Sequence, residues 1–127
     1  MMPPSSLAFI GDAVYTLYMR RRIVESSDAT VGTLHISCSA LVNAGTQALV
    51  FDALVSRGAL TEEEQEIGRR AKNAHLHSRA KSASSSDYHK ATALEAVIGY
   101  AELIGGDRVT ELLALCAEIS DEATGRK

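Results

Sequence analysis

The sequence predicts an all-α domain, and three observations carry that prediction. Apolar residues recur at spacings of three and four along most of the chain, the period of a helix with one buried face. No run of useful length alternates apolar and polar residues as a half-buried strand would. Helix start and stop signals stand at the ends of the periodic segments. The 127 residues suit a single domain, 1–127, since domains run roughly 100–200 residues, and leave no room for a catalytic domain plus a binding module. An apolar content of 46% excludes wholesale disorder.

In residues 7–22, Leu7, Ile10, Val14, Leu17 and Tyr18 form one apolar stripe, which predicts the first helix. A second helix is expected from about Thr33 to Arg57. Leu34, Cys38, Leu41, Val42, Ala48, Leu49 and Val55 face inward on it, and Gly58 stops it. Thr61-Glu62-Glu63-Glu64 is a capping box that opens the third helix. Its acidic first turn and basic end, Arg69-Arg70-Ala71-Lys72, complement the helix dipole. Residues 82–87, Ser-Ala-Ser-Ser-Ser-Asp, read as a loop. A fourth helix is expected near Ala91, with Leu94, Val97, Ile98, Ala101 and Ile104 inward, ending at Gly105-Gly106. Asp107 is the expected cap of a last helix that buries Val109, Leu112, Leu113, Cys116 and Ile119.

No stretch reaches the ~20 apolar residues of a membrane helix. Residues 1–6 carry no basic region, so no secretory leader is expected, and the cytoplasm is the expected location. Cys38 and Cys116 lie far apart without a CxxC pattern and read as reduced, buried thiols. The formal charge of −3 argues against nucleic acid only until it is partitioned. Between Arg69 and Lys90 stand six cations and one acid, Asp87, so this segment carries +5 and the remainder −8. A basic cluster beside a Ser-rich hinge suits a polyphosphate backbone. The alternative is a solvated helix end balancing its own dipole. Arg20, Arg21 and Arg22 form a second, smaller patch open to the same two readings. His75-x-His77 lacks a third partner for zinc.

Two carboxylates sit in poorly polar company. Asp12 lies opposite the first helix's stripe, and its helical neighbours are Ala8, Tyr15, Thr16 and Met19, so it reads as buried on two sides. Such an acid needs a partner or a metal. Glu95 lies in Ala91-Thr92-Ala93-Leu94-Glu95-Ala96-Val97-Ile98-Gly99, where the ordinary reading is a surface acid on an amphipathic helix. Carboxylates converging from two helices suit Mg²⁺ or Mn²⁺, which take oxygen ligands. Phe9 points away from the stripe of its own helix, which suggests a partner outside the chain.

These segments carry a resemblance. Leu7-Ala8-Phe9-Ile10-Gly11-Asp12-Ala13-Val14 resembles the ribonuclease III motif Leu-Glu-Phe-Leu-Gly-Asp-Ala-Val, and Thr92-Ala93-Leu94-Glu95-Ala96-Val97-Ile98-Gly99 resembles its second motif, Asp-x-x-Glu-Ala-x-x-Gly. Arg70-Ala71-Lys72-Asn73-Ala74 and the run from Tyr88 to Tyr100 are similar to runs of the Mini-III branch, which has the catalytic domain without a double-stranded-RNA-binding domain.

The resemblance implies a homodimeric, all-helical endonuclease domain that hydrolyses double-stranded RNA to 5′-phosphate and 3′-hydroxyl ends. It implies a role in maturing the large-subunit (23S) ribosomal RNA precursor, with a substrate-presenting ribosomal protein as a possible partner. Asp12 and Glu95 match the family's metal-binding acids, Phe9 an aromatic at its dimer interface, and Mg²⁺ is the implied cofactor, with Mn²⁺ able to substitute. Larger members present further acids where this chain has Ser5, Ala8 and Thr92, so one metal held by Asp12 and Glu95 is expected. The expected RNA contacts are Arg69, Arg70, Lys72, Asn73, Arg79, Lys81 and Lys90. The alternative reading is a catalytically inactive protein of the same fold that binds ribosomal RNA. It is countered by the retention of Asp12 and Glu95.

Overall fold

Pro4 opens the first helix, α1 (Pro4–Glu25), at the position where its missing N–H would have no helical partner. The computed structural model describes residues 2–26, 28, 30–74 and 85–125, and among them every regular element is an α-helix. The buried face of α1 is Leu7, Ala8, Gly11, Tyr15, Met19 and Ile23. It is rotated from the expected stripe: Ile10, Val14 and Tyr18 are half-buried at its flank, and Leu17 is exposed. The small residues Ala8 and Gly11 decide this, because they admit a closer helix–helix approach than the larger side chains would.

The expected helix 33–57 is two helices, α2 (Val31–Val42) and α3 (Ala44–Ser56), bent by 44°. Asn43 makes the break. Its backbone is extended (φ −71°, ψ 160°), and its side chain closes both helices. Nδ2 donates to the carbonyls of Ser39 and Ala40 at 3.0 and 3.2 Å, while Oδ1 accepts from the Thr46 N–H at 2.9 Å. This is capping chemistry at two helix ends with one amide. The break resets the helical phase. Gln47, Val50, Phe51 and Leu54 turn inward, whereas Leu49 and Val55 are exposed, contrary to expectation.

The capping box of α4 (Glu62–Asn73) is formed as expected. Thr61 Oγ1 accepts from the Glu64 N–H at 3.1 Å, and Glu64 Oε1 accepts from the Thr61 N–H at 2.9 Å. Glu64 also receives two hydrogen bonds from Arg108, which donates a third to the Ala59 carbonyl.

The central helix is α5 (Ser85–Ile104). It begins six residues earlier than expected, so Ser85, Ser86 and Asp87 are helical. Helices α1, α3, α4 and the last helix, α6 (Arg108–Thr124), all pack on it. From Ala91 to Ala101 only Glu95 and Tyr100 are not buried, the pattern of a helix surrounded by others. Leu94, Val97 and Ile98 are fully buried, and truncating Leu94 to Ala would cost about 2–5 kcal/mol.

Beyond Ala101 the helix leaves the core, so Ile104 is exposed rather than inward. Gly105 and Gly106, both at φ 83°, supply a left-handed turn. Asp107 stands at the start of α6 without the expected cap: its backbone is helical, and its side chain makes no capping hydrogen bond. Cys38 and Cys116 are buried free thiols, and burial pushes Cys116 up to about 12. No single helix among the described residues is long and apolar enough to cross a membrane.

Candidate active site

Two glycines position the site. A Cβ on Gly11 would stand 1.6 Å from the carbonyl oxygen of Glu95, and one on Gly99 would stand 2.0 Å from the carbonyl oxygen of Leu7. Any side chain at either position would collide with backbone, so α1 and α5 cross in direct main-chain contact. Asp12 follows Gly11 on one helix, and Glu95 lies one turn before Gly99 on the other. The crossing brings the two carboxyl groups within hydrogen-bonding reach of each other.

Asp12 is exposed, not buried on two sides, because the buried face of α1 runs through Gly11 and Tyr15 beside it. Thr16 Oγ1 makes a long contact to its Oδ1, 3.5 Å. Glu95 is half-buried. Burial first, then the charge and hydrogen bond of Asp12, push its carboxyl up to about 8, and a hydrogen bond from Gln47 pulls the other way. Gln47 Nε2 donates to Glu95 Oε2 at 3.4 Å from the first turns of α3, and the Gln47 side chain is buried.

Gln47 escapes a sequence reading that runs one helix through Asn43. Its signal is the run Gln47, Val50, Phe51, Leu54, a polar residue at the head of an i, i+3, i+4, i+7 apolar face.

The donor set fits a hard divalent cation. Two carboxylates that repel each other are the environment in which an ion of two positive charges is favoured, and Mg²⁺ is commonly held by one or two carboxylates with its remaining positions left to water and phosphate. Among the described residues no group of three or more His, Cys, Asp or Glu converges.

The basic residues are less free than their sequence suggests. Arg69 pairs with Glu66 at 2.6 Å, and Lys90 pairs with Asp52 at 2.9 Å across two helices. Arg69 and Lys72 line one groove with Asp52, Glu62 and Glu66, so acids from outside the segment temper its charge. Lys72 and Asn73 are exposed, and Arg70 is half-buried. Arg79, Lys81, His75, His77 and residues 82–84 lie outside the described residues. Of the smaller patch, Arg22 pairs with Asp121 at 2.7 Å and Arg21 with Glu25 at 3.5 Å. Phe9 is 82% exposed on the side of α1 away from α5.

The Ribonuclease III domain family matches residues 5–106, a span that contains both carboxylates and both crossing glycines. The Mini-ribonuclease 3 of Symbiobacterium thermophilum is 38% identical over 92% of this chain and 89% of its own length. The chain belongs to the Mini-ribonuclease 3 family. Another relative, the Mini-ribonuclease 3 of Streptococcus pneumoniae, is 34% identical over 89% of each chain. A crystal structure of a Fusobacterium nucleatum protein superposes with a TM-score of 0.82 at 30% identity, covering 95% of this chain and 93% of that one.

Membership in the Mini-ribonuclease 3 family makes the chain an endoribonuclease for double-stranded RNA on an all-α ribonuclease III fold. Where larger ribonuclease III proteins resemble this motif but carry acids, Ser5 is exposed and Ala8 is buried. Thr92 is buried too, and its hydroxyl donates to the Tyr88 carbonyl at 3.0 Å.

Proposed function

We propose that this chain cleaves double-stranded RNA at the Asp12–Glu95 pair with one divalent metal ion, and that its substrate is the precursor of large-subunit ribosomal RNA. The observation that supports the reading best is the convergence of these two carboxyl groups across the Gly11–Gly99 crossing. Asp12 and Glu95 would hold Mg²⁺, or Mn²⁺ in its place. Bound there, the metal would supply a water activated for attack on the phosphodiester and offset charge on the departing 3′ oxygen.

The rest of the work falls to the chain. The exposed Asp12 faces the solvent side from which a duplex would arrive, while Glu95 is held from behind by α3. Duplex RNA is read through its shape, phosphates and 2′-hydroxyls. Arg70, Lys72, Asn73, Arg79 and Lys81 are the proposed contacts, and Arg69 and Lys90 would exchange Glu66 and Asp52 for phosphate. A homodimer is proposed through Phe9, whose ring lacks cover within its own chain. The cytoplasm remains the proposed location, and a ribosomal protein that presents the substrate is compatible with this scheme.

The test is incubation with a long RNA duplex and with large-subunit precursor RNA, in Mg²⁺ and in chelator. Metal-dependent cutting with 5′-phosphate and 3′-hydroxyl ends is expected. A gel shift without cutting would instead support a binding protein that has lost catalysis.

A further inference from the structure

Four polar or charged residues are buried among the described residues: Gln47, Glu64, Thr92 and Ser120. Three have structural explanations. Glu64 closes the capping box and pairs with Arg108, and Thr92 and Ser120 donate to carbonyls one turn back on their own helices. Gln47 differs. At 3% exposure it heads the apolar face of α3, and its amide reaches across to α5 to donate to Glu95. Burying an amide among apolar neighbours costs free energy unless it is hydrogen-bonded, and an apolar residue would fill the same space at no such cost.

We infer that Gln47 is a positioning residue for the metal site: the Nε2–Oε2 contact fixes the rotamer of Glu95 and leaves its other oxygen, Oε1, to face Asp12 and the cation. This rests on the reading of Asp12 and Glu95 as the metal-holding pair. The main-chain contact at Gly11 sets how far apart the two helices stand, but it does not set the side-chain torsions of Glu95. A carboxylate on a flexible side chain needs a second fixed point, and Gln47 supplies it from a third helix. At 3.4 Å the contact is longer than the usual N–H···O distance, with room to shorten. Hydrogen-bonding partners of this kind are typically worth about 10–100-fold in metal affinity.

The test compares wild type, Gln47→Met and Glu95→Gln in the absence of RNA, with Mn²⁺ titrated and free ion read by electron paramagnetic resonance. Met has similar length and no N–H, so packing is retained while the bond is lost. Gln47→Leu serves as a second variant if the first does not fold, as judged by circular dichroism. The expected result is Mn²⁺ binding about tenfold or more weaker in Gln47→Met. In duplex cleavage the Mn²⁺ concentration for half-maximal rate should rise by a similar factor, while the rate at saturating metal stays within about threefold of wild type. A merely structural role would lower the saturated rate and the melting temperature together without that split.

Unchanged Mn²⁺ affinity in a folded Gln47 variant, with affinity lost in Glu95→Gln, would overturn the role of Gln47 alone. Unchanged affinity in Glu95→Gln as well would overturn the reading of the site, and this inference with it.

Discussion

The carbonyl oxygen of Glu95 lies where a Cβ on Gly11 would be, 1.6 Å from the ideal position of that atom. Gly11→Ala must therefore push α1 away from α5 or fail to fold. Overpacking commonly costs about 1–3 kcal/mol, and here the obstacle is rigid backbone, so a loss at or above that range is expected in urea denaturation. RNA cleavage should fall more than stability accounts for, because the same displacement separates Asp12 from Glu95. Gly99→Ala should behave alike, its Cβ meeting the Leu7 carbonyl.

Metal-free protein should grow less stable as pH rises through the range that Glu95 titrates. Its carboxyl is raised from the ordinary 4.5 to about 8, so between those values the folded protein holds a proton that the unfolded chain has released. Stability then falls with rising pH over that window. Thermal melts in chelator should show this slope for wild type and lose it in Glu95→Gln, which should be more stable than wild type at pH 8 by roughly 1–3 kcal/mol. The same variant should bind duplex RNA normally and cut none of it, as gel shift and cleavage assays would read.

Glu64 has the opposite sign. Burial alone would raise its carboxyl, but hydrogen bonds from Arg108 and from the Thr61 backbone, with the charge of Arg108, hold it below the ordinary value. Its stabilisation is present above about pH 4.5 and is lost as pH falls through the lowered folded value. Glu64→Gln should cost about 1–2 kcal/mol at pH 7, because Arg108 is partly exposed and its charge is screened, and the difference from wild type should shrink in acid, as followed by denaturation at a series of pH values.

How far this site was legible in the sequence differs residue by residue. The capping box at Thr61 was fully readable, because all its partners lie within four residues. Asp12 and Glu95 stood out as acids in apolar company. Their mutual approach was not local information, and only the motif resemblance linked them. The face that α1 buries was misread because close approach through Ala8 and Gly11 outweighed the larger side chains of Ile10, Val14 and Leu17. Gln47 was invisible for a related reason: an unbroken helix through Asn43 buries Ala48 correctly but turns Leu49 and Val55 inward in place of Gln47, Val50, Phe51 and Leu54.

Phe9→Asp should dissociate the proposed dimer without unfolding the chain, since the ring is 82% exposed within its own subunit. Sedimentation velocity should show a smaller species with an unchanged helical spectrum. A wild-type monomer at assay concentrations would remove the dimer from the scheme.

Phosphate contacts leave a signature in salt. Lys72→Ala and Lys81→Ala should each flatten the log–log dependence of duplex affinity on salt by roughly one unit, so that each deficit is largest at low salt. Cleavage at saturating RNA should change little. Variants with wild-type slopes would show that these lysines do not touch the duplex.

Asn43 gives the molecule a place where length cannot vary. One side-chain amide ends α2 and begins α3, so no spare chain lies between them. A single residue inserted there would turn α3 by about 100° about its axis. Gln47 would swing off Glu95 with Thr46 in its register, and Leu49 would take the inward place of Val50. Most helix junctions absorb insertions and deletions over evolutionary time. At this one, a change of a single codon in length would reach the cutting site one helical turn away, with every residue of that site still present.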